Sequence, residues 1–132
     1  MRFISRRTLL LASALTFAVS PSLAESVFSG IDRDKDGTID LAEAKAAASK
    51  VFDKLDTNHD GTLDRAELRD RIPEQDWKTA NPDNDKTLTK EEYLRYVEYV
   101  FRRADTDHQG TVEEKEARTP EGQRLLRLLR AR

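Results

Sequence analysis

Side chains with oxygen atoms recur in this sequence at a spacing that suits a hard metal ion. Four segments of 12 residues start at Asp32, Asp56, Asn81 and Asp105, and each ends on a glutamate. Positions 1, 3 and 5 carry short oxygen side chains, position 7 offers its backbone carbonyl, and position 9 acts directly or through water. An ion of about calcium's size takes six to eight oxygens at roughly 2.3–2.6 Å. The spacing therefore predicts four cation-binding loops, numbered 1 to 4 in chain order.

The loops differ in how many carboxylates they offer. The candidate ligands of loop 1 are Asp32, Asp34, Asp36, Thr38, Asp40 and Glu43. Those of loop 2 are Asp56, Asn58, Asp60, Thr62, Asp64 and Glu67. Those of loop 3 are Asn81, Asp83, Asp85, Thr87 and Glu92, and those of loop 4 are Asp105, Asp107, Gln109, Thr111, Glu113 and Glu116. With five, four, three and four carboxylates in chain order, we expect loops 1 and 2 to bind most tightly, then loop 4, then loop 3.

Loop 3 departs most from the shared pattern. It begins with Asn81, and Lys86 occupies position 6, where the other three loops have glycine. We expect Lys86 to adopt the left-handed conformation that glycine adopts freely, at a cost of roughly 1 kcal/mol. A loop that is kept only for structure is the alternative interpretation. At position 4, His59 and His108 are predicted to be surface residues rather than transition-metal ligands.

Loops 1 and 2 resemble EF-hand loops at every diagnostic position. Two further patterns concern the strands and helices that flank the loops. Position 8 is apolar in every loop, which favours short β pairing between loops: Ile39, Leu63, Leu88 and Val112. An aromatic residue lies four positions before each loop and is predicted to pack in the core: Phe28, Phe52, Trp77 and Phe101.

Unusually little sequence separates the loops, with gaps of 12, 13 and 12 residues. The segments 41–55 and 90–104 are each predicted to be a single helix, about 22 Å long. Two loops at opposite ends of one straight helix cannot pair with each other. Pro73 interrupts the segment between loops 2 and 3, so either loops 2 and 3 pair and loops 1 and 4 pair, or loop 1 pairs with 3 and loop 2 with 4. The predicted fold is all-α, a compact helical bundle whose adjacent loops share short helices.

The first 24 residues have the features of an export signal. A basic start precedes an apolar stretch over 9–19, and Ala24 ends a small-residue cleavage pattern. The pair Arg6-Arg7 resembles a twin-arginine signal, with a chance pair in an ordinary secretory signal as the alternative. An uncleaved amphipathic start is a further alternative. Cleavage would leave one domain over 25–132, with a net charge of −5 from 20 basic and 25 acidic residues, in the periplasm or outside the cell.

The sequence resembles the lanmodulin family from about Val27 to its end. Besides the four loops, their short spacing and the export signal, the resemblance rests on Phe52-Asp-Lys-Leu-Asp56, Asn81-Pro-Asp-Asn-Asp85 and Arg118-Thr-Pro-Glu-Gly122. Members of that family are periplasmic lanthanide-binding proteins of methylotrophic bacteria. The resemblance implies a helical bundle with peripheral metal loops, ordering of the chain on metal binding, and selectivity for trivalent lanthanides over calcium. The family's proline at loop position 2 survives here only as Pro82.

The sequence therefore predicts an exported protein that binds two to four Ca²⁺ or lanthanide(III) ions and orders on binding. A periplasmic calcium buffer or sensor is the alternative, although Met1 is the only methionine and sensor grooves tend to be methionine-rich. In the segment 124–130 an arginine recurs at every third residue with two leucines between, so the segment either touches an acidic partner or anionic lipid or packs its leucines on the core. We expect a monomer, with a dimer as the alternative. The absence of cysteine excludes thiolate metal sites, and neither an enzyme nor a nucleic-acid-binding protein is predicted.

Overall fold

The computed structural model describes residues 26–131, so the predicted signal at 1–24 lies outside the described residues. The α-helices are α1 Leu41–Leu55, α2 Arg65–Leu68, α3 Trp77–Ala80, α4 Lys90–Ala104, α5 Glu114–Ala117 and α6 Pro120–Leu128. The strands are β1 Thr38–Asp40, β2 Thr62–Leu63, β3 Leu88–Thr89 and β4 Thr111–Glu113. The chain is mostly helical, but the all-α expectation omitted two small sheets. Among residues 26–131, no helix is long and apolar enough to cross a membrane.

The two long helices, α1 and α4, have the bounds predicted from the sequence. Each begins just after loop position 9, where a capping box closes the first turn. In α1, the Asp40 carboxylate accepts the Glu43 N–H at 2.7 Å, and Glu43 accepts the Asp40 N–H at 3.0 Å. In α4, Thr89 and Glu92 make the same reciprocal pair. The residues that end each loop therefore also start the helix that leads to the next loop.

The chain between loops 2 and 3 turns earlier than predicted. Helix α2 ends at Leu68, and the next two residues, Arg69 and Asp70, have φ values of +52° and +61°, so the break precedes Pro73. Pro73 then caps a short 3-10 helix, Glu74–Asp76, which leads into α3. This bent path lets loop 3 turn back toward loop 2.

Strand pairing decides between the two loop arrangements that the sequence left open. Strand β1 of loop 1 pairs antiparallel with β4 of loop 4, with Ile39 opposite Val112. Strand β2 of loop 2 pairs antiparallel with β3 of loop 3, with Leu63 opposite Leu88. All four position-8 side chains are at most 1% exposed, which confirms the predicted pairing through these residues.

The core lies where α1 and α6 pack against α4, which also contacts α3 and β3. Three of the predicted core aromatics, Phe28, Phe52 and Phe101, are buried, whereas Trp77 is only partly buried. An ion pair of 2.8 Å between Lys45 and Glu98 joins α1 to α4. The hydrogen bonds from Lys45 and Arg102 lower the pKa of Glu98 to about 2.

The C-terminal helix packs with its leucines inward. The buried leucines of this segment are Leu125, Leu126, Leu128 and Leu129. The Leu128 carbonyl accepts a 2.8 Å hydrogen bond from the buried Tyr93 hydroxyl, and burial raises the pKa of that hydroxyl. Of the two roles considered for residues 124–130, core packing therefore applies to the leucines, and they offer no apolar face to a partner.

Candidate metal sites

The carboxylate at loop position 1 organises the turn in loops 1, 2 and 4. In loop 1, Asp32 accepts the N–H groups of Asp36 at 3.3 Å and Gly37 at 2.8 Å. Asp56 and Asp105 make the same contacts, with glycine distances of 3.0 and 2.9 Å. The glycine φ is +86°, +82° and +91° in these loops, a conformation that glycine adopts without steric cost.

The glutamate at position 12 closes each of these three loops. In loop 1, Glu43 accepts the N–H of Arg33 at 2.8 Å through Oε1 and that of Asp40 at 3.0 Å through Oε2. Glu67 and Glu116 likewise use one oxygen toward the start of their loop and the other toward position 9. Both oxygens of each glutamate are thereby held beside the loop, as two-oxygen coordination of an ion requires.

Carboxylate oxygens converge in three of the four loops. They lie within 4.8 Å of one another in three groups: Asp32, Asp34 and Asp36; Asp56, Asp60 and Glu67; Asp105, Asp107 and Glu116. Two ligands on opposite sides of an ion at roughly 2.4 Å are about 4.8 Å apart. The spacing therefore fits one hard cation in each group. Asp40 and Asp64, also predicted ligands, cap α1 and α2 and lie outside these three groups.

Hydrogen bonds shift the pKa values of two carboxylates of loop 1 in opposite directions. A side-chain hydrogen bond to Asp32 raises the pKa of Asp34, because two neighbouring carboxylates share a proton more readily than both ionise. The Thr38 N–H and hydroxyl, at 2.9 and 3.0 Å, lower the pKa of Asp36. From the sequence, Thr38 at position 7 was expected to contribute only its backbone carbonyl. Its hydroxyl also donates a hydrogen bond to Asp36. A cation between these groups would neutralise the crowded negative charge.

Loop 3 is built differently at positions 1 and 6. The Asn81 side-chain amide donates to the Asp85 carbonyl, whereas position 1 is an acceptor in the other loops. Lys86 is not among the residues with positive φ, so the predicted left-handed conformation is wrong. Without a glycine at position 6, this loop closes through the Asn81 amide instead.

The residue at loop position 4 has left-handed backbone in all four loops, whereas Lys86 at position 6 of loop 3 does not. Its φ lies between +58° and +61° at Lys35, His59, Asn84 and His108. Asparagine and histidine tolerate this region better than most residues, which was the available sequence signal. His59 and His108 are exposed, as predicted.

The candidate ligands of loop 3 do not converge as those of the other loops do. No carboxylate group of the kind found in loops 1, 2 and 4 occurs there within the described part of the chain. Glu92 accepts the Thr89 N–H at 2.8 Å, and Asp83 accepts the Asp85 N–H at 3.3 Å. Asn81 is 1% exposed, and its Oδ1 has no hydrogen-bond partner among residues 26–131. A buried oxygen of this kind suits a cation or water more than an empty space.

Two family models match the sequence, and both are described as an EF-hand domain pair. The first matches residues 45–118, which include loops 2, 3 and 4 and more than half of the chain. The second matches residues 2–50, which include loop 1. No curated protein matches the chain.

Proposed function

The chain belongs to the EF-hand family, and we propose that it is an exported, non-enzymatic protein that binds lanthanide(III) ions in preference to calcium. Family membership implies binding of calcium or other metal ions. The observation that carries the proposal is the convergence of three carboxylates within 4.8 Å in loops 1, 2 and 4. The ions would be held by oxygen alone, so the protein would store or carry them rather than use them for chemistry.

The preference for a trivalent ion follows from charge. Lanthanide(III) ions have nearly the radius of calcium but carry one more positive charge, so each added carboxylate favours them more strongly. Loop 1 offers five carboxylates and loop 2 offers four. A side-chain hydrogen bond with Asp32 raises the pKa of Asp34, so two carboxylates of loop 1 lie side by side.

A periplasmic calcium buffer is the second candidate. Calcium sites with four acidic ligands are common, and loops 2 and 4 have that number. A sensor is less favoured than a buffer, because a sensor exposes an apolar groove on loading. The leucines of α6 are buried in the described fold, and no methionine lies between residues 26 and 131.

Metal binding is proposed to order the chain, because each loop is connected to one other loop by a helix and to another by a strand pair. Helix α1 joins loop 1 to loop 2, and α4 joins loop 3 to loop 4. The sheets join loop 2 to loop 3 and loop 4 back to loop 1. A metal that fixes one loop therefore restrains the start of a helix and one strand of a partner loop. The 16 ligand-position carboxylates repel one another without metal, which opposes this compact arrangement.

We expect the metal-free chain over residues 25–132 to have markedly less helix than the metal-loaded chain. Far-ultraviolet circular dichroism, recorded while free La³⁺ or Ca²⁺ is raised in parallel chelator-buffered titrations, measures this. Ordering at a lower free concentration of La³⁺ than of Ca²⁺ supports the proposal. Equal midpoints would favour the calcium buffer, and a metal-free chain that is already fully helical would contradict coupled ordering.

Trp77 provides a reporter for loop 3. It lines a surface cavity together with Asn84, Asp85 and Lys86, so Tb³⁺ in loop 3 would be excited through its indole. We expect weak terbium emission from the native chain until the other loops are filled, because the loop 3 carboxylates do not converge. Emission that reaches its maximum with the first equivalent of terbium would contradict this ranking.

A matched variant tests the predicted order of affinity by moving the indole from loop 3 to loop 1. The double change Trp77→Phe and Arg33→Trp moves the indole to an exposed position in loop 1, whose carboxylates do converge. This variant is expected to emit strongly with the first equivalents of terbium. If it stays dark while the native chain emits, loop 3 binds before loop 1.

A further inference from the structure

The glutamate at loop position 12 is oriented by hydrogen-bond donors on both of its oxygens. In loop 1 the backbone supplies all of these donors. Glu43 Oε1 accepts the N–H of Arg33 at 2.8 Å and that of Asp34 at 3.4 Å. Its Oε2 accepts the Asp40 N–H at 3.0 Å. The oxygen nearer the start of the loop therefore has two donors, and the other oxygen has one.

In loops 2 and 4 a side-chain hydroxyl at position 2 takes the place of one backbone donor. The Thr57 hydroxyl donates to Glu67 Oε2 at 3.3 Å, beside its own N–H at 3.1 Å. The Thr106 hydroxyl donates to Glu116 Oε1 at 3.2 Å, beside the Asp107 N–H at 3.3 Å. The N–H of position 9 reaches the other oxygen in both loops. Three different loops thus reach the same arrangement of donors around this carboxylate.

Loop 4 depends on its hydroxyl more than loop 2 does. The Thr106 N–H donates to the Ala104 carbonyl at 3.0 Å, so the hydroxyl is what position 2 contributes to Glu116. Glu116 is only 2% exposed, whereas Glu67 is partly exposed. A hydrogen bond to a buried carboxylate meets less competition from water. Loss of the hydroxyl should therefore matter more in loop 4.

Loop 3 has neither kind of donor at position 2. Pro82 has no N–H and no hydroxyl. Glu92 accepts the Thr89 N–H at 2.8 Å through Oε1, and no donor to its Oε2 is found among residues 26–131. Glu92 is 7% exposed, so little water can reach the carboxylate and replace the missing donor. The glutamate of loop 3 is therefore held through one oxygen only.

We propose that Thr57 and Thr106 are positioning residues, whose hydroxyls orient the position-12 glutamate so that both of its oxygens can hold the ion. Hydrogen bonds to a ligating carboxylate fix its orientation in metal sites, so these threonines act through the glutamate without contacting the metal. By the same argument, Pro82 is one cause of the low affinity expected for loop 3. The proposal rests on metal binding by these loops, as proposed above.

Removal of each hydroxyl tests the proposal in loops 2 and 4. Thr57→Val and Thr106→Val keep a similar shape and the backbone N–H, and each is expected to weaken La³⁺ binding at its own loop by about tenfold, more in loop 4. The N–H groups of Gly61 and Gly110 donate to the first carboxylate of loops 2 and 4, so their amide resonances report each loop separately. Chelator-buffered La³⁺ titrations followed by nuclear magnetic resonance measure both affinities. Thr57→Ser and Thr106→Ser retain the hydroxyl and should restore affinity.

The number of waters on the metal separates orientation of the glutamate from general stability. If the glutamate releases one oxygen contact, water fills the vacated position, so about one additional water is expected at each altered loop. Luminescence lifetimes of Eu³⁺ in H₂O and D₂O count these waters in the double variant Thr57→Val and Thr106→Val. Thr79→Val, at an exposed position of α3 outside the loops, is the control and should change neither affinity nor water count.

Loop 3 allows the converse experiment. Pro82→Thr supplies both missing donors, whereas Pro82→Ala supplies only the N–H. Terbium emission excited through Trp77 reports this loop. We expect Pro82→Thr to raise terbium affinity at loop 3 by about threefold or more, a gain limited by the loss of proline's rigidity. Pro82→Ala should gain less.

Several results would overturn the proposal. Native affinity in both valine variants, or failure of the serine variants to restore affinity, would show that the hydroxyls do not position the glutamates. Weaker binding with an unchanged water count would assign the loss to stability rather than to orientation. Equal gains in Pro82→Ala and Pro82→Thr would assign the effect at loop 3 to the N–H. A native chain that does not bind La³⁺ at loops 2 and 4 would instead contradict the proposed function itself.

Discussion

Replacing Glu43 with glutamine is expected to weaken metal binding at loop 1 by at least about 100-fold. Residues that merely orient a metal ligand cost 10–100-fold when they are changed, and Glu43 is proposed to contact the ion with both oxygens. Glutamine at this position still accepts the Asp40 N–H and so preserves the capping box of α1. The effect should therefore fall on metal affinity and leave the helix intact.

Glu92→Gln is the matched control for this change. Glu92 occupies the same position in loop 3 and caps α4 in the same way, but its loop does not bring carboxylates together. Calorimetric titration should show one tight site fewer in Glu43→Gln and an almost unchanged number in Glu92→Gln. Equal losses in the two variants would show that loops 1 and 3 contribute alike, against the ranking derived from their geometry.

Replacing Gly122 with alanine is expected to destabilise the metal-loaded domain by about 2 kcal/mol, within the range for overpacking. A Cβ at this position would lie 2.2 Å from the Glu116 carbonyl oxygen and 2.5 Å from Ala117 Cα, which are backbone atoms that cannot rotate away. Alanine normally stabilises a helix by about 1 kcal/mol relative to glycine, so helix propensity predicts the opposite sign. The contact dominates because α6 would have to move away from α5.

Thermal unfolding in saturating calcium measures this effect, with a decrease in Tm of about 10 °C expected. Glu116 is a candidate ligand of loop 4, so affinity at that loop should fall as well. Arg127→Ala, at an exposed position of α6, provides the control and should change Tm little. A Gly122→Ala domain as stable as the native one would mean that α6 does not lie this close to α5.

The parts of the fold that the sequence predicted are those set by local physics. Helices α1 and α4 are bounded at each end by a loop, contain no breaker, and start at a capping box that is visible in the sequence. Their ends were therefore predictable to the residue. The loop pairing was not, because it depends on the path between loops 2 and 3. That path turns at Arg69 and Asp70, and although aspartate tolerates left-handed backbone, arginine rarely adopts it, so the sequence did not mark a turn there.

The metal loops, too, have features that the sequence predicted and features that it did not. The spacing of oxygen side chains was sufficient to find the loops, because metal coordination fixes that spacing. It did not reveal that Asn81 acts as a donor toward Asp85, or that Lys86 avoids the left-handed region. Both depend on how the whole loop relaxes when glycine is missing.

Equilibrium dialysis tests the central proposal most directly. The metal-free domain would be dialysed against La³⁺ and a molar excess of Ca²⁺ together, and the metals retained per chain would be counted by elemental analysis. Retention of at least two La³⁺ per chain, matching loops 1 and 2, is the predicted result. Retention of Ca²⁺ in place of La³⁺ would contradict the lanthanide preference, and retention of neither ion would contradict metal binding itself.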